Sequence, residues 1–129
     1  MEYLIFSGQI LLAAVLGGLV GWQRHHIGKS AGFRTFALVA VGSALFTIIS
    51  LNAFAGDQAR VAAQVLTGVG FIGAGIIFHK KNSVDGLTTA AGFWSVAAVG
   101  MAVGVGWFIE AIISTIFIFL ILALLLKKD

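Results

Sequence analysis

Three groups of residues in this chain have types and spacings that could do chemistry. The first is Gly68-Val69-Gly70-Phe71-Ile72-Gly73, which matches the G-x-G-x-x-G pattern that cradles a dinucleotide pyrophosphate. That chemistry needs a strand before the glycines, an amphipathic helix after them and an acid about 20 positions on. Here Ala59 to Thr67 read as helix, Ala74 to Phe78 stay apolar, and Asp85 comes too early, so the nucleotide reading is rejected. The second group is His25-His26 in one basic turn and His79 with Asp85 in another. A metal site needs three or four convergent ligands held by orienting partners, and histidines in basic turns are ordinarily solvated, so no residue is assigned to metal. The third group is polar or charged at the ends of apolar segments: Arg24, Arg34, Asp57, Arg60, Gln64, Thr88 and Thr89. With no cysteine, no close carboxylate pair and no Ser/His/Asp arrangement, no enzyme is expected.

Composition says what must position these residues. Of 129 residues, 60% are hydrophobic and 10% charged, against about 25% charged in a soluble domain. Mean hydropathy is +1.07. The solvent is therefore mostly lipid. Seventeen glycines without one proline or cysteine suit closely packed transmembrane helices. The segment Met1-Glu2-Tyr3 lacks the basic region of a signal peptide, so the first apolar segment is expected to be retained.

A membrane-crossing helix needs about 20 apolar residues. Five segments qualify, over residues 4–22, 36–54, 59–78, 87–104 and 107–126, and they form a single polytopic domain over residues 1–129. The last division rests only on Gly104-Val105-Gly106 and Glu110; a four-span alternative leaves the last segment at the interface. Five spans place Arg24, Lys29, Arg34, Lys80, Lys81, Lys127 and Lys128 on one side and only Arg60 on the other. The basic side belongs in the cytoplasm, which puts the N-terminus out and the C-terminus in. Anionic headgroups then account for the net charge of +3, with no nucleic acid needed.

Small residues supply the packing signal. Gly17 and Gly21 form a Gly-x-x-x-Gly in the first span, and Gly68, Gly70, Gly73 and Gly75 crowd the third. In lipid, such residues let backbones approach closely, so Gly70, Gly73 and Ala74 are expected at the closest helix crossing. Ser43, Thr47 and Ser50 share a face of the second span, where they either bond to backbone or line a water path. Asp57 stands at an N-cap position three residues before Arg60, and Gln64 lies far enough inside the third span to need protein or water beside it. A faint repeat at an offset of 54 residues pairs Gly21 with Gly75, His25 with His79, Gly32 with Gly86 and Thr35 with Thr89.

Taken together and in order, Gly17-Gly18-Leu19-Val20-Gly21-Trp22-Gln23-Arg24, Ala31-Gly32-Phe33-Arg34-Thr35, Asp57-x-x-Arg60-x-Ala62-Ala63-Gln64, Gly68-x-Gly70-Phe71-Ile72-Gly73-Ala74-Gly75 and Gly86-Leu87-Thr88-Thr89-Ala90-Ala91 with Trp94 resemble the successive motifs of the MgtC/SapB family. The resemblance implies a bacterial inner-membrane protein linked to magnesium limitation, membrane energetics and, in pathogens, survival inside macrophages. Several members are described as magnesium transporters, while the best-studied branch is regarded as regulatory, acting on other membrane proteins including the ATP synthase. It picks out Arg24, Arg34, Asp57, Arg60, Gln64, Asp85, Thr88 and Thr89 as the functional motif. The family usually has a glutamate where this chain has Gln23, which removes one candidate cation ligand or ion-pair partner. The chain is also expected to be a short member without the cytoplasmic C-terminal domain.

The resulting expectation is an all-α integral membrane protein, a bundle of five or four transmembrane helices packed through small residues. Its partners are the lipid bilayer and other membrane proteins, with a homo-oligomer left open. A regulatory role through helix contact suits the small-residue faces. The alternative is an oligomeric magnesium or cation transporter or channel, for which Mg2+ would want oxygen ligands that no acid supplies at mid-membrane. Arg24, Arg34 and Asp85 are expected to meet at the cytoplasmic face, with Thr88 and Thr89 opening the fourth span nearby.

Overall fold

The computed structural model describes residues 2–28, 31–54 and 56–124, and the backbone alone of residues 78–80. Lys29, Lys127 and Lys128, on which the orientation argument partly draws, lie outside the described residues, as does the side chain of His79. Five helices run α1 (Glu2–His26), α2 (Phe33–Ala53), α3 (Gln58–Ala74), α4 (Leu87–Gly104) and α5 (Phe108–Ala123). Between α3 and α4, β1 (Phe78–Lys80) and β2 (Ser83–Asp85) form a small antiparallel hairpin with Phe78 opposite Asp85. The chain is an all-α membrane protein in which α1, α2 and α4 are long and apolar enough to cross a bilayer, while α5 is shorter.

The helix α4 is apolar all round, and such a helix is stable only when surrounded. It packs against the four others and buries Thr89, Gly92, Phe93, Val96, Ala97, Val99, Gly100, Val103 and Gly104. Its tightest neighbour is α2. A Cβ on Gly100 would run into the Ala40 carbonyl and come within 2.9 Å of Ser43 Cβ, and one on Gly104 would lie 2.7 Å from Thr47 Cβ. Beside it on α2, a Cβ at Gly17 would meet Ala40 Cβ and the Phe36 carbonyl at 2.7 Å, and one at Gly21 the Gly32 carbonyl at 2.5 Å. Phe36 and Phe93 fill the centre edge to face, with centroids 4.6 Å apart and planes at 89°, an arrangement that adds about 0.5–1.5 kcal/mol to their burial.

The glycine-rich third segment behaves differently from expectation. A Cβ placed on Gly68 or Gly70 would have nothing within 4 Å, Ala74 is exposed, and a Cβ on Gly75 would meet only the Ile72 carbonyl of its own turn. Only Gly73 faces another helix, with Ala90 Cβ 3.5 Å away, which is ordinary contact. The closest crossings are therefore those of α2 with α1 and α4. The physical reason is that α3 buries a single stripe, Val65, Val69 and Gly73, leaving its other glycines outside the bundle. The helix also stops at Ala74, short of the expected Phe78, because the chain turns into the hairpin. There Gly86 takes φ 84° and would collide with the Ile76 carbonyl if it carried a Cβ, so this turn requires glycine.

The helix α5 runs alongside α1 and α4. It starts beside the end of α4, where Trp107 N donates to Ala102 O at 2.8 Å, and it ends where Leu122 O accepts from Gln23 Nε2. Gln9, near the start of α1, donates to Val103 O at 3.0 Å, so the two ends of α5 lie at opposite ends of α1.

Two of the three hydroxyls expected on one face of α2 bond to backbone, while Ser43 lines a groove between α2 and α3. Thr47 Oγ1 donates to Ser43 O at 2.8 Å and Ser50 Oγ to Gln58 O at 2.6 Å, and Ser43, Thr47 and Ser50 are all buried. We expect Gly17→Ala and Gly100→Ala each to destabilise the protein by about 1–3 kcal/mol, because the added methyl meets backbone that cannot give. Gly68→Ala should stay within about 0.5 kcal/mol. Thermal unfolding of the purified variants in detergent checks both, and equal melting temperatures for Gly100→Ala and Gly68→Ala would refute the packing assignment.

Candidate functional site

One end of the bundle gathers the last turn of α1, the hairpin and the first turn of α4. Arg24 belongs to that last turn and is 1% exposed, as is Thr89. A guanidinium stays charged at any pH the protein meets, so burying it demands acceptors close by. Thr89 Oγ1 accepts from Arg24 Nη2 at 3.0 Å and from Nε at 3.3 Å. Arg24, Thr89 and Asp85 each make further interactions. Asp85 is half-buried at the end of β2, one residue before the left-handed Gly86 that opens α4. The hairpin, Gly86 and the first turn of α4 are thus consecutive in the chain, and this fixes Asp85 and Thr89 within one short stretch.

Beside Arg24, Gln23 is buried and donates through Nε2 to Leu122 O at 3.3 Å, tying the end of α5 to α1. Among the described residues its Oε1 has no hydrogen-bond partner. A carboxylate at this position would set an oxygen against the Leu122 carbonyl with no hydrogen to share. Glutamine provides the donor this contact needs.

The other motif residues do not join this cluster. Arg34, expected to meet Arg24 and Asp85, is exposed on the first turn of α2, lines a groove between α2 and α3, and makes no hydrogen bond or ion pair among the described residues. The α2 helix separates it from Arg24: α1 packs along one side of α2 and the groove opens along another. Thr88 is exposed, and neither threonine caps α4, whose N-cap is Gly86 without a side-chain bond. Asp57 is the N-cap residue of α3 yet makes no capping bond; instead its Oδ2 pairs with Arg60 Nε at 3.4 Å. That pair is exposed and contributes about 0–1 kcal/mol. Gln64 lines the same groove as Arg34, with no hydrogen bond among the described residues.

Sequence reading missed Gln9, the Gln23 bond to α5, and the packing of α4. A signal existed for the last, since Gly100-Met101-Ala102-Val103-Gly104 is itself a Gly-x-x-x-Gly. No group of three or more His, Cys, Asp and Glu residues that could hold a metal occurs among the described residues.

Comparison with known proteins decides the family. The family model of MgtC matches residues 10–128. The chain belongs to the MgtC family. It is 41% identical to an uncharacterized protein of Haemophilus influenzae over 91% of its own length and 54% of that protein's. It is 44% identical to YhiD of Escherichia coli, named as a candidate magnesium transporter, over 91% and 59%. With the protein MgtC of Brucella abortus it shares 48% identity over 88% and 48%. The chain thus spans about half the length of these relatives. No solved structure matches it.

The geometry makes Arg24 a fixed buried cation that locks α1 to α4. Thr89→Val is expected to cost about 1–3 kcal/mol, because the guanidinium loses an acceptor in a dry site, whereas Thr89→Ser keeps most of it. Arg24→Met combined with Thr89→Val should be less damaging than the sum of the two. Strict additivity in that double-mutant cycle, read by denaturation in detergent, would show that the bond contributes nothing.

Proposed function

We propose that this protein is a non-catalytic regulator in the bacterial inner membrane, tied to magnesium homeostasis, that acts on other membrane proteins through helix contact. The observation that carries this reading is the outward face of α3. Ala63, Thr67, Gly70 and Ala74 fall at helical spacing on one side and are all exposed, while the buried stripe lies on the opposite side. A row of small residues in lipid offers close backbone approach to another helix, and no helix among the described residues uses it. The magnesium link rests on the family and on the name of the Escherichia coli relative.

Transport is the competing reading, favoured by that same name. Against it stands Arg24: a permanent positive charge buried at one end of the bundle opposes passage of a divalent cation through the same helices. The experiment is reconstitution in liposomes with a magnesium-sensitive dye, paired with crosslinking from Thr67→Cys in native membranes. We expect no flux above empty vesicles and capture of a second membrane protein. Flux that disappears on Asp57→Asn would establish transport instead.

In this reading the end carrying Arg24 and the hairpin faces the cytoplasm, as the basic residues require. Single cysteines at Gly56 and Asn82 test it in intact cells with an impermeant thiol reagent. Labelling of Gly56→Cys and protection of Asn82→Cys are expected, and the reverse pattern would invert the topology.

A further inference from the structure

The groove between α2 and α3 lies on a different side of α3 from the small-residue row. It encloses about 910 Å³ and is walled mainly by apolar side chains, among them Leu38, Val39, Val61 and Ile72. It is open because two residues of its wall have no side chain: nothing lies within 4 Å of a Cβ placed on Gly42 or Gly68.

Its two ends differ in charge. Where α3 begins, Arg60 lines the groove but is paired with Asp57. Where α2 begins, Arg34 lines it and has no anionic partner among the described residues. The first turn of α2 contains no acid, and its N-cap Gly32 makes no side-chain bond, so the turn's amide groups add to the positive field at Arg34. From Arg34 to Phe46 the wall rises about 18 Å at the helical pitch, more than half the roughly 30 Å hydrocarbon core.

We propose that this groove is a binding site for an anionic diacyl phospholipid of the leaflet at the Arg34 end. Its phosphate meets Arg34 and the start of α2, and an acyl chain lies along the apolar wall in the space left by Gly42 and Gly68. A cation without a counter-charge at the mouth of an apolar slot between two helices of a membrane protein selects headgroup charge and chain together. A zwitterionic lipid fits the slot but brings its own ammonium to Arg34.

The test is native mass spectrometry of the purified protein in detergent, supplied with equal amounts of phosphatidylglycerol and phosphatidylcholine bearing the same chains. Retention of phosphatidylglycerol should exceed that of phosphatidylcholine by about fivefold, the effect of one interfacial cation. Arg34→Gln should abolish the preference, Arg34→Lys should keep it in part, and Gly42→Leu should lower retention of both lipids. Lys81→Gln, an exposed cation of the hairpin, should leave the preference unchanged. Equal retention of the two lipids by the wild type overturns the proposal, as does a preference that survives Arg34→Gln or vanishes in Lys81→Gln. A photocrosslinker at Gly68 that captures a protein helix in place of lipid would overturn it too. None of these outcomes depends on whether the protein regulates or transports.

Discussion

The close approach of α2 to α4 is the constraint on which the rest of the bundle depends. In lipid no hydrophobic force presses helices together, so association has to come from dense van der Waals contact and from backbone proximity. Gly100 and Gly104 bring α4 onto Ala40, Ala44 and Thr47 so tightly that no β-carbon fits between them. Gly17 and Gly21 bring α1 onto Ala40, Phe36 and Gly32 just as closely, so that α1 and α4 meet beside the same stretch of α2. The consequence is a cluster of three mutually packed helices, α1, α2 and α4, with the edge-to-face pair Phe36 of α2 and Phe93 of α4 at its centre.

The cluster's polar side chains serve mainly to fasten helix ends to one another. Gln9 reaches the last carbonyls of α4, Ser50 the carbonyl of Gln58 at the start of α3, Gln23 the end of α5 and Arg24 the start of α4. Carbonyls at the C-terminal end of a helix have no partner within their own helix, and a carboxamide from a neighbour satisfies one while fixing the register between two helices. Arg24 differs from the others in bringing a full charge into the protein interior. A charge that costs this much to bury is held for position, and it sets how α1, the hairpin and α4 meet.

Much of this arrangement is legible in the residues and some is not. Helix number follows from hydropathy, because an apolar run of membrane length has few alternatives, and Gly17 and Gly21 announce the α1–α2 contact. Gly104 reads in the sequence only as part of a turn, yet it both ends α4 and packs against Thr47; one residue serves two roles. The glycines of α3 mislead for the opposite reason. Spacing shows that a face is small but not whether that face turns inward, and the inward direction of α3 is set by Val65 and Val69. Arg34 and Arg24 fall at the same end of the bundle by topology, which suggests that they meet. Topology fixes the level of a residue in the membrane, however, while its position around the helix axis decides its neighbours. The family motif is visible as a set, but the pairing of Arg24 with Thr89 across 65 residues can be seen only in three dimensions.

The offset of 54 residues gives this division a physical shape. It places Gly32 and Gly86 at corresponding positions, and both prove to be N-caps, of α2 and α4. It also matches α1 with α3, and there the two halves part company: α1 is held by glycine contacts on α2 and by Gln9, Gln23 and Arg24, whereas α3 buries three residues. A helix held along one narrow stripe has lower local stability than the cluster beside it and retains two surfaces for others. One is the groove mouth at Arg34, the other the row Ala63, Thr67, Gly70 and Ala74. Occupants of these two surfaces would touch the same helix from different sides, so any coupling between them would need no long path through the protein.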